Sequence, residues 1–237
     1  MKQFVIIGAG GYAKEVMWIT KDINKGAPTF DFPGFLDPLA SGIAGRSLYG
    51  HPVFGGWDEL PGCDELYFAC GIGDPTSREK ECIAAEARGL RPVSVIHPSV
   101  IVADEVTIGA GTVISPNSVL APSCTLGRHC ALNIGAVIGH DARLDDYCVI
   151  SPGALVLGGA HLETKAFLGA NSTVYLAVTM GESSLLGANS FLVTNLRAGT
   201  SALGIPATRL GAKPGAGICH NKEASSSLGK DPIHDAS

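Results

Sequence analysis

A six-residue repeat runs through almost half of this 237-residue chain without an insertion or deletion. Neither an α-helix nor an ordinary β-strand has this period, whereas a chain wound into a three-sided coil does. Hexapeptide repeats of this kind indicate a parallel β-helix, in which neighbouring coils bury one continuous core. The repeat has 17 positions, each aliphatic or methionine: Ile96, Val102, Ile108, Ile114, Leu120, Leu126, Leu132, Ile138, Leu144, Ile150, Val156, Leu162, Leu168, Val174, Met180, Leu186 and Leu192.

A second register supports the first, because a mostly small residue stands four positions after each aliphatic one, as at Cys124, Cys130 and Cys148. One large and one small residue per six suits a narrow interior. Glycine often follows the aliphatic residue, as at Gly109 and Gly139. We attribute these glycines to corners that need unusual backbone angles. A β-sandwich with irregular strands is the alternative, but a sandwich does not hold a six-residue phase over so many repeats.

The charge, hydropathy and cysteine content of the chain argue against several classes of protein. The net charge is −5, and no basic cluster points to nucleic acid. The sequence has no apolar run of membrane-spanning length and no signal-peptide cleavage region at its N-terminus, so we expect a cytoplasmic protein without a membrane partner. Seven cysteines without a CxxC pair favour free thiols over disulfides.

Residues 1–95 follow a different pattern, in which apolar strands alternate with helices. Strands are predicted at 4–7, 32–36 and 66–70, and helices at 12–23 and 77–88. This alternation predicts a small Rossmann-like parallel sheet, an α/β domain in front of the all-β helix. About 95 residues make only half of a full dinucleotide fold, so one nucleotide or a nucleotide-sugar fits better than NAD.

The first predicted strand leads into a glycine-rich turn. Gly8, Gly10 and Gly11 with Ala13 fit the pattern GxGxxG/A, and Asp37 ends the next strand. Such glycines let backbone N–H groups approach an anion at a helix N-terminus. A tight turn without a ligand is the alternative.

The segment from Asn133 to Asp141, NIGAVIGHD, departs from the uniform repeat. It resembles the N-T-G-A-[IV]-[IV]-x-H-[DE] stretch of the NeuD-like sugar acyltransferases. That family includes sialic acid O-acetyltransferases and the N-acetyltransferases of UDP-linked bacillosamine precursors and of GDP-perosamine. The resemblance runs from about residue 3 to Leu210. It includes the glycine-rich turn, Phe35-Leu36-Asp37, Gly73-Asp74-x-x-x-Arg78, Ile96-His97-Pro98 and Gly204-Ile205-Pro206-Ala207.

The resemblance implies a left-handed parallel β-helix with three hexapeptides in a coil of about eighteen residues. The repeat then makes about 5.7 coils and stands roughly 27 Å tall at the usual strand spacing. It also implies a homotrimer with active sites between subunits. The predicted domains are residues 1–95 for the nucleotide-sugar, 96–210 for the acyltransferase β-helix, and a flexible tail at 211–237.

Catalytic roles are also implied by the resemblance. His140 is the general base that takes a proton from the attacking group, and Asp141 raises its basicity. Acetyl-CoA contacts map to Gly158, Ala170 and Ala188, and Val149 replaces a histidine that many family members have near acetyl-CoA. A solvated corner histidine and tight turns are the alternative interpretations of these residues.

The nucleotide-sugar contacts of the family map to the first domain. They correspond to Gly10, Gly11, Tyr12, Asp37, Gly73 and Arg78. The helix N-termini and Arg78 would suit the negative charge of a diphosphate. Arg78 is otherwise a solvated helix residue. Tyr12 stands where the family often has histidine, a change that bears on which sugar is accepted.

The sequence therefore predicts an acetyl-CoA-dependent N-acetyltransferase that acts on a nucleotide-linked amino-sugar of the 4-amino-4,6-dideoxy type, without a metal. A sialic-acid-type O-acetyltransferase and a non-catalytic sugar-nucleotide-binding scaffold are the alternatives. A γ-type carbonic anhydrase shares the same prism but needs two zinc-binding histidines five residues apart. His97, His129, His140 and His161 are 32, 11 and 21 residues apart, so that pair is absent.

Overall fold

The computed structural model describes residues 1–38, 42, 44–60, 62 and 65–210. The predicted tail at 211–237 and the cysteines Cys63 and Cys219 lie outside these residues. Among these residues, the first domain contains six strands and two α-helices, with a short 3₁₀ turn at Trp57–Glu59. Its elements are β1 (Lys2–Ile7), α1 (Gly11–Gly26), β2 (Phe30–Leu36), β3 (Ser47–Leu48), β4 (His51–Phe54), β5 (Tyr67–Cys70), α2 (Pro75–Ala87) and β6 (Arg91–Pro92).

The strands form one sheet in the order β3-β4-β2-β1-β5-β6, parallel except for the β3–β4 hairpin. Strand β1 is central, and its last four residues are a continuous apolar run because both faces of the sheet are covered. Phe4 and Ile6 pack with residues of α1, whereas Val5 and Ile7 pack with residues of α2. The predicted Rossmann-like sheet is confirmed, and the β3–β4 hairpin is an addition that the sequence pattern did not show.

The β-helix follows after a two-residue connection. Its 17 strands are two residues long, and the second residue of each is the predicted aliphatic position. They are β7 (Val95–Ile96), β8 (Ile101–Val102), β9 (Thr107–Ile108), β10 (Val113–Ile114), β11 (Val119–Leu120), β12 (Thr125–Leu126), β13 (Ala131–Leu132), β14 (Val137–Ile138), β15 (Arg143–Leu144), β16 (Val149–Ile150), β17 (Leu155–Val156), β18 (His161–Leu162), β19 (Phe167–Leu168), β20 (Thr173–Val174), β21 (Thr179–Met180), β22 (Leu185–Leu186) and β23 (Phe191–Leu192).

Every third strand stacks in parallel on the same sheet, so the left-handed β-helix has three faces. Face 1 begins with β7, face 2 with β8 and face 3 with β9. Face 1 ends in the hairpin β24 (Ser201–Gly204) and β25 (Ala207–Arg209). We call the turns between the faces edges 1–2, 2–3 and 3–1. In the coil that starts at β13 these edges are residues 133–136, 139–142 and 145–148.

The interior of the prism contains the two predicted registers. Leu132, Ile138 and Leu144 fill the three faces of one coil, and small residues such as Cys130 and Cys148 fit at the edges, all almost fully buried. Stacked partners lie 18 residues apart, as Ala131 and Val149 do. The predicted number of residues per coil is therefore confirmed.

The edges use left-handed backbone once in every repeat. From Glu105 to Asn189 every sixth residue has a φ between +54° and +76°. These residues are not the glycines that follow the aliphatic positions, so the reason given for those glycines was wrong. A Cβ at Gly139 would lie 2.6 Å from the backbone nitrogen of Gly158 in the next coil. Glycine is needed there because consecutive coils approach closely, not because of its backbone angles.

Candidate active site

His140 and Asp141 lie on edge 2–3 and form a hydrogen-bonded pair. The Nδ1 atom of His140 is 2.8 Å from Oδ2 of Asp141, and about two-thirds of each side chain is exposed. Neighbouring coils hold their backbone, because Asp141 N–H donates to Pro122 and Gly159 N–H donates to the His140 carbonyl. In the neutral imidazole this arrangement puts the proton on Nδ1 and leaves the lone pair of Nε2 available.

The His140 ring lies against Gly158, the residue directly above it in the next coil. A Cβ at Gly158 would lie 2.5 Å from Nε2 and 2.6 Å from Cε1 of the imidazole. Any side chain at this position would therefore displace the ring. The structure thus brings together three of the predicted site residues, His140, Asp141 and Gly158, on a single edge.

The other predicted acetyl-CoA residues lie elsewhere on the prism. Ala170 and Ala188 are stacked on edge 1–2, where Asn189 N–H donates to the Ala170 carbonyl. Gly158 therefore borders face 2 on one side, and the two alanines border it on the other. Val149 lies on face 1 between Ala131 and Phe167 and is only 2% exposed. Within a single chain, Val149 therefore does not lie beside His140.

Exposed apolar residues accompany this part of the prism. Ile101 lies on face 2, Ile134 on edge 1–2, and Tyr175, Leu176 and Val193 on edge 2–3. Exposed apolar side chains on one face of a fold and at its borders are typical of a contact with another molecule.

The glycine-rich turns lie side by side at the carboxyl ends of β1 and β5. A Cβ at Gly8 would lie 3.1 Å from the Gly71 carbonyl oxygen, so the two turns touch. Helix α1 begins at Gly11, and Gly10 caps it without a side-chain hydrogen bond. Because Gly10, Gly11 and Gly73 have open space around them, the backbone is accessible where an anion would bind.

Tyr12 and Asp37 are more buried than we expected for residues that contact a nucleotide-sugar. The Tyr12 hydroxyl is buried without a hydrogen-bond partner among the described residues, and burial raises the pKa of this phenol. Asp37 is almost fully buried, and its backbone N–H donates to Phe54. Both residues nevertheless border the carboxyl edge of the sheet, so their predicted roles stay predictions.

Arg78 has a structural role instead of the predicted contact with a diphosphate. Its side chain is wholly buried, and its guanidinium donates to the carbonyls of Cys70, Ile72, His129 and Cys130 at 2.6–3.3 Å. These bonds join β5 and α2 to edge 3–1 of the prism. The Arg78 guanidinium therefore has no exposed N–H group that could bind a nucleotide.

Helix α2 runs along edge 3–1, a feature that the sequence analysis missed. Glu86 bonds Nη2 of Arg128 at 2.6 Å and Nε2 of His129 at 2.8 Å, and two helical turns earlier Glu79 bonds Nζ of Lys165 at 2.9 Å. His129 and Lys165 occupy the left-handed position of edge 3–1, two coils apart. The available signal was the series His129, Tyr147 and Lys165 on this edge, because the left-handed positions of the two other edges hold only smaller or acidic residues.

The described residues contain no cluster of three or more His, Cys, Asp or Glu side chains arranged to hold a metal. Within the same residues, no helix has the length and apolar character needed to cross a membrane. The predicted cytoplasmic location stays a prediction.

The chain is similar over most of its length to several solved structures. PerB from Caulobacter crescentus, solved in complex with CoA and GDP-perosamine, is 30% identical with a TM-score of 0.79, and the match covers 89% of this chain and 98% of PerB. WeeI from Acinetobacter baumannii AYE is 27% identical with a TM-score of 0.80, covering 89% and 100%. The acetyltransferase domain of PglB from Neisseria gonorrhoeae FA1090 is 26% identical with a TM-score of 0.80, covering 89% and 100%. No family model and no curated protein matches the sequence.

The fold and the solved structures that it resembles define an acyltransferase with a Rossmann-like sheet in front of a left-handed β-helix. An identity of 30% over nearly the whole of PerB is high enough to establish the family of this chain. The chain belongs to the NeuD-like family of sugar N-acetyltransferases.

Proposed function

We propose that this protein transfers the acetyl group of acetyl-CoA to the amino group of a nucleotide-linked amino-sugar, of the 4-amino-4,6-dideoxy type. The observation that carries the proposal is the His140–Asp141 pair, hydrogen-bonded at 2.8 Å and seated against Gly158. The proposal is supported by the similarity to PerB, which was solved with CoA and GDP-perosamine.

His140 acts as the general base in this reaction. The amine nitrogen attacks the thioester carbonyl carbon, and Nε2 of His140 accepts the proton that the nitrogen loses. The C–S bond then breaks, and CoA leaves as the thiolate. Asp141 accepts the hydrogen bond from Nδ1–H, so the base is held in the tautomer and orientation that the reaction needs. The attack is direct, without an acyl-enzyme.

We propose further that the active unit is a homotrimer. His140 lies on edge 2–3, whereas helix α2 of the first domain is bound along edge 3–1 of the same chain. Gly158 and the alanines Ala170 and Ala188 lie on opposite sides of face 2. A neighbouring subunit packed against the apolar surface of face 2 brings a second set of these groups together, and the acetyl-CoA site then forms between subunits.

The test is thiol release from acetyl-CoA by the purified protein against a panel of acceptors. GDP-perosamine and UDP-linked 4-amino-4,6-dideoxy sugars represent the amine acceptors, and sialic acid represents the hydroxyl acceptors. We expect turnover with an amine acceptor and intersecting lines in initial-rate plots. Turnover with sialic acid alone would assign the protein to O-acetylation, and turnover with no acceptor would favour a binding scaffold.

The role of His140 is tested with His140→Ala, which we expect to lower kcat by about 10²–10⁴-fold. His161→Ala is a matched control, because His161 also pairs with an aspartate, Nε2 to Oδ2 of Asp145 at 3.0 Å, but lies on face 3. Unchanged activity in His140→Ala would refute the assignment of the base.

A further inference from the structure

Arg78 is a wholly buried cation at the boundary between the two domains. Its Nη1 donates to the carbonyls of Cys70 and Ile72, both at 2.9 Å. Its Nε donates to the carbonyl of His129 at 2.6 Å, and its Nη2 donates to that of Cys130 at 3.3 Å. One guanidinium therefore holds the end of β5 and the prism together. Burial of a cation is costly, so these bonds are needed to compensate for the lost hydration.

Both carbonyls that Nη1 holds belong to the segment at the end of β5, residues 70–73, which we call the β5 turn. The turn also contacts α1, since a Cβ at Gly71 would lie 2.6 Å from Cα of Ala13. Helices α1 and α2 cover opposite faces of the sheet. The β5 turn is thus held between a residue of α1 and Arg78 of α2, and its position depends on both.

The order of the strands puts the β5 turn where a ligand of such a sheet is expected. From β1 the chain continues to β2 on one side and returns to β5 on the other side of β1. In open parallel sheets, ligands bind in the crevice outside the carboxyl ends of the strands at such a reversal of strand order. The Gly10–Gly11 turn follows β1, and Gly73 ends the β5 turn, so these two segments form the walls of the crevice. Open space surrounds all three glycines.

We infer that Arg78 is a positioning residue for a nucleoside diphosphate bound in this crevice. The inference rests on the proposed function, and Arg78 itself does not touch the ligand. It fixes the β5 turn relative to the Gly10–Gly11 turn, so that backbone N–H groups of both can bind the phosphates. Because the same guanidinium bonds the prism at His129, the affinity for the nucleotide depends on how the first domain is docked.

The experiment compares Arg78→Lys and Arg78→Met with Arg128→Met. Arg78→Lys keeps the cation, but its donors sit on one nitrogen and cannot span the β5 turn and the prism as the planar guanidinium does. Arg128→Met is the matched control, since Arg128 joins the same edge of the prism to Glu86, at the end of α2 remote from the β5 turn.

Titration calorimetry with GDP, UDP and dTDP measures the affinity. We expect the wild-type protein to bind at least one of them, and both Arg78 variants to bind it roughly tenfold more weakly, in line with coupling through packed networks. Arg128→Met should bind it as the wild type does. In turnover, the Arg78 variants should raise the KM for the acceptor and leave kcat and the KM for acetyl-CoA near wild type.

Thermal unfolding of the same variants separates positioning from structural support alone. Arg78→Lys should lose less stability than Arg78→Met, because it keeps a cation among the carbonyls, but it should lose as much affinity. Should Arg78→Met fail to fold, the comparison of Arg78→Lys with Arg128→Met decides. Affinity losses that follow the stability losses would overturn the inference, as would wild-type affinity in Arg78→Lys or a wild-type protein that binds none of the three nucleotides.

The calorimetry also distinguishes this inference from the proposed function. Weaker nucleotide binding in the Arg78 variants of a protein that acetylates none of the acceptors would support the role of Arg78 and contradict the acetyltransferase. Acetyl transfer with unchanged nucleotide affinity in Arg78→Lys would do the reverse.

Discussion

Because residue 158 is a glycine, the His140 ring can lie directly against the backbone of the next coil. A second hydrogen-bonded imidazole–carboxylate pair is found at His161–Asp145, where Nε2 and Oδ2 lie 3.0 Å apart. The His140 ring differs because the next coil presents a glycine at the position directly above it. The ring is thereby fixed against the backbone, and preorganisation of this kind contributes to catalysis.

Gly158→Ala should lower kcat by roughly 10²-fold, because the added Cβ would lie 2.5 Å from Nε2 and displace the base. The ring is exposed and can swing aside, so the melting temperature should change little. Steady-state kinetics and thermal unfolding by circular dichroism are the measurements.

Gly159→Ala is the control for this substitution. Gly159 has a φ of +67°, and the equivalent position one coil later is Ala177 with a φ of +54°, so alanine is tolerated there. We expect Gly159→Ala to lose some stability and to keep its activity. A Gly158→Ala enzyme as active as wild type would show that the contact with the imidazole is incidental.

At the scale of elements, helix α2 depends on a histidine that is wholly buried at edge 3–1. The His129 ring stacks between Phe68 at 5.7 Å and Tyr147 at 5.4 Å, its Nε2 bonds Glu86, and its Nδ1 has no partner among the described residues. Burial lowers the pKa of His129, assisted by Arg78 and Arg128 and opposed by Glu86.

This pKa shift predicts a pH-dependent stability. An unfolded histidine has a pKa of about 6.5, so between that value and the lower folded pKa the unfolded chain binds more protons. The contribution of His129 to stability is thus complete above pH about 6.5 and decreases as the pH falls toward the folded pKa.

Urea unfolding of wild type and His129→Asn at several pH values between about 7.5 and 5.5 tests this dependence. We expect the difference in unfolding free energy between the two proteins to shrink on acidification. A difference that grows would mean that the Glu86 bond outweighs burial.

Sequence reasoning succeeded for elements whose signal is local and periodic. The aliphatic positions from Ile96 to Leu192 matched all 17 strands, and β1, α1 and β5 were located within a few residues. It failed for the docking of α2, because contacts such as Glu79 with Lys165 join residues 86 apart and leave no periodic trace. Arg78 was misassigned for the same reason, since its carbonyl partners at His129 and Cys130 belong to another domain.

On the scale of the whole molecule, the apolar surface around face 2 predicts association. We expect light scattering to give three times the mass of one chain. Tyr175→Glu should shift the protein toward smaller species, because Tyr175 is exposed on edge 2–3, where burying an unpaired carboxylate is costly.

Ile83→Glu is the control, since Ile83 is at least as exposed as Tyr175 but lies on α2. It should leave the oligomer intact. A monomeric wild-type protein, or a Tyr175→Glu variant with an unchanged mass, would contradict a trimer built on this surface.

The unbroken spacing of the left-handed residues limits how this domain can change in length. His140 and Gly158 meet only because one whole coil of 18 residues separates them. Inserting or deleting a single hexapeptide between them would rotate everything that follows by one face, and Gly158 would then stand over a different edge. Between the base and its glycine, the chain can therefore change in length only by whole coils if this contact is to be kept.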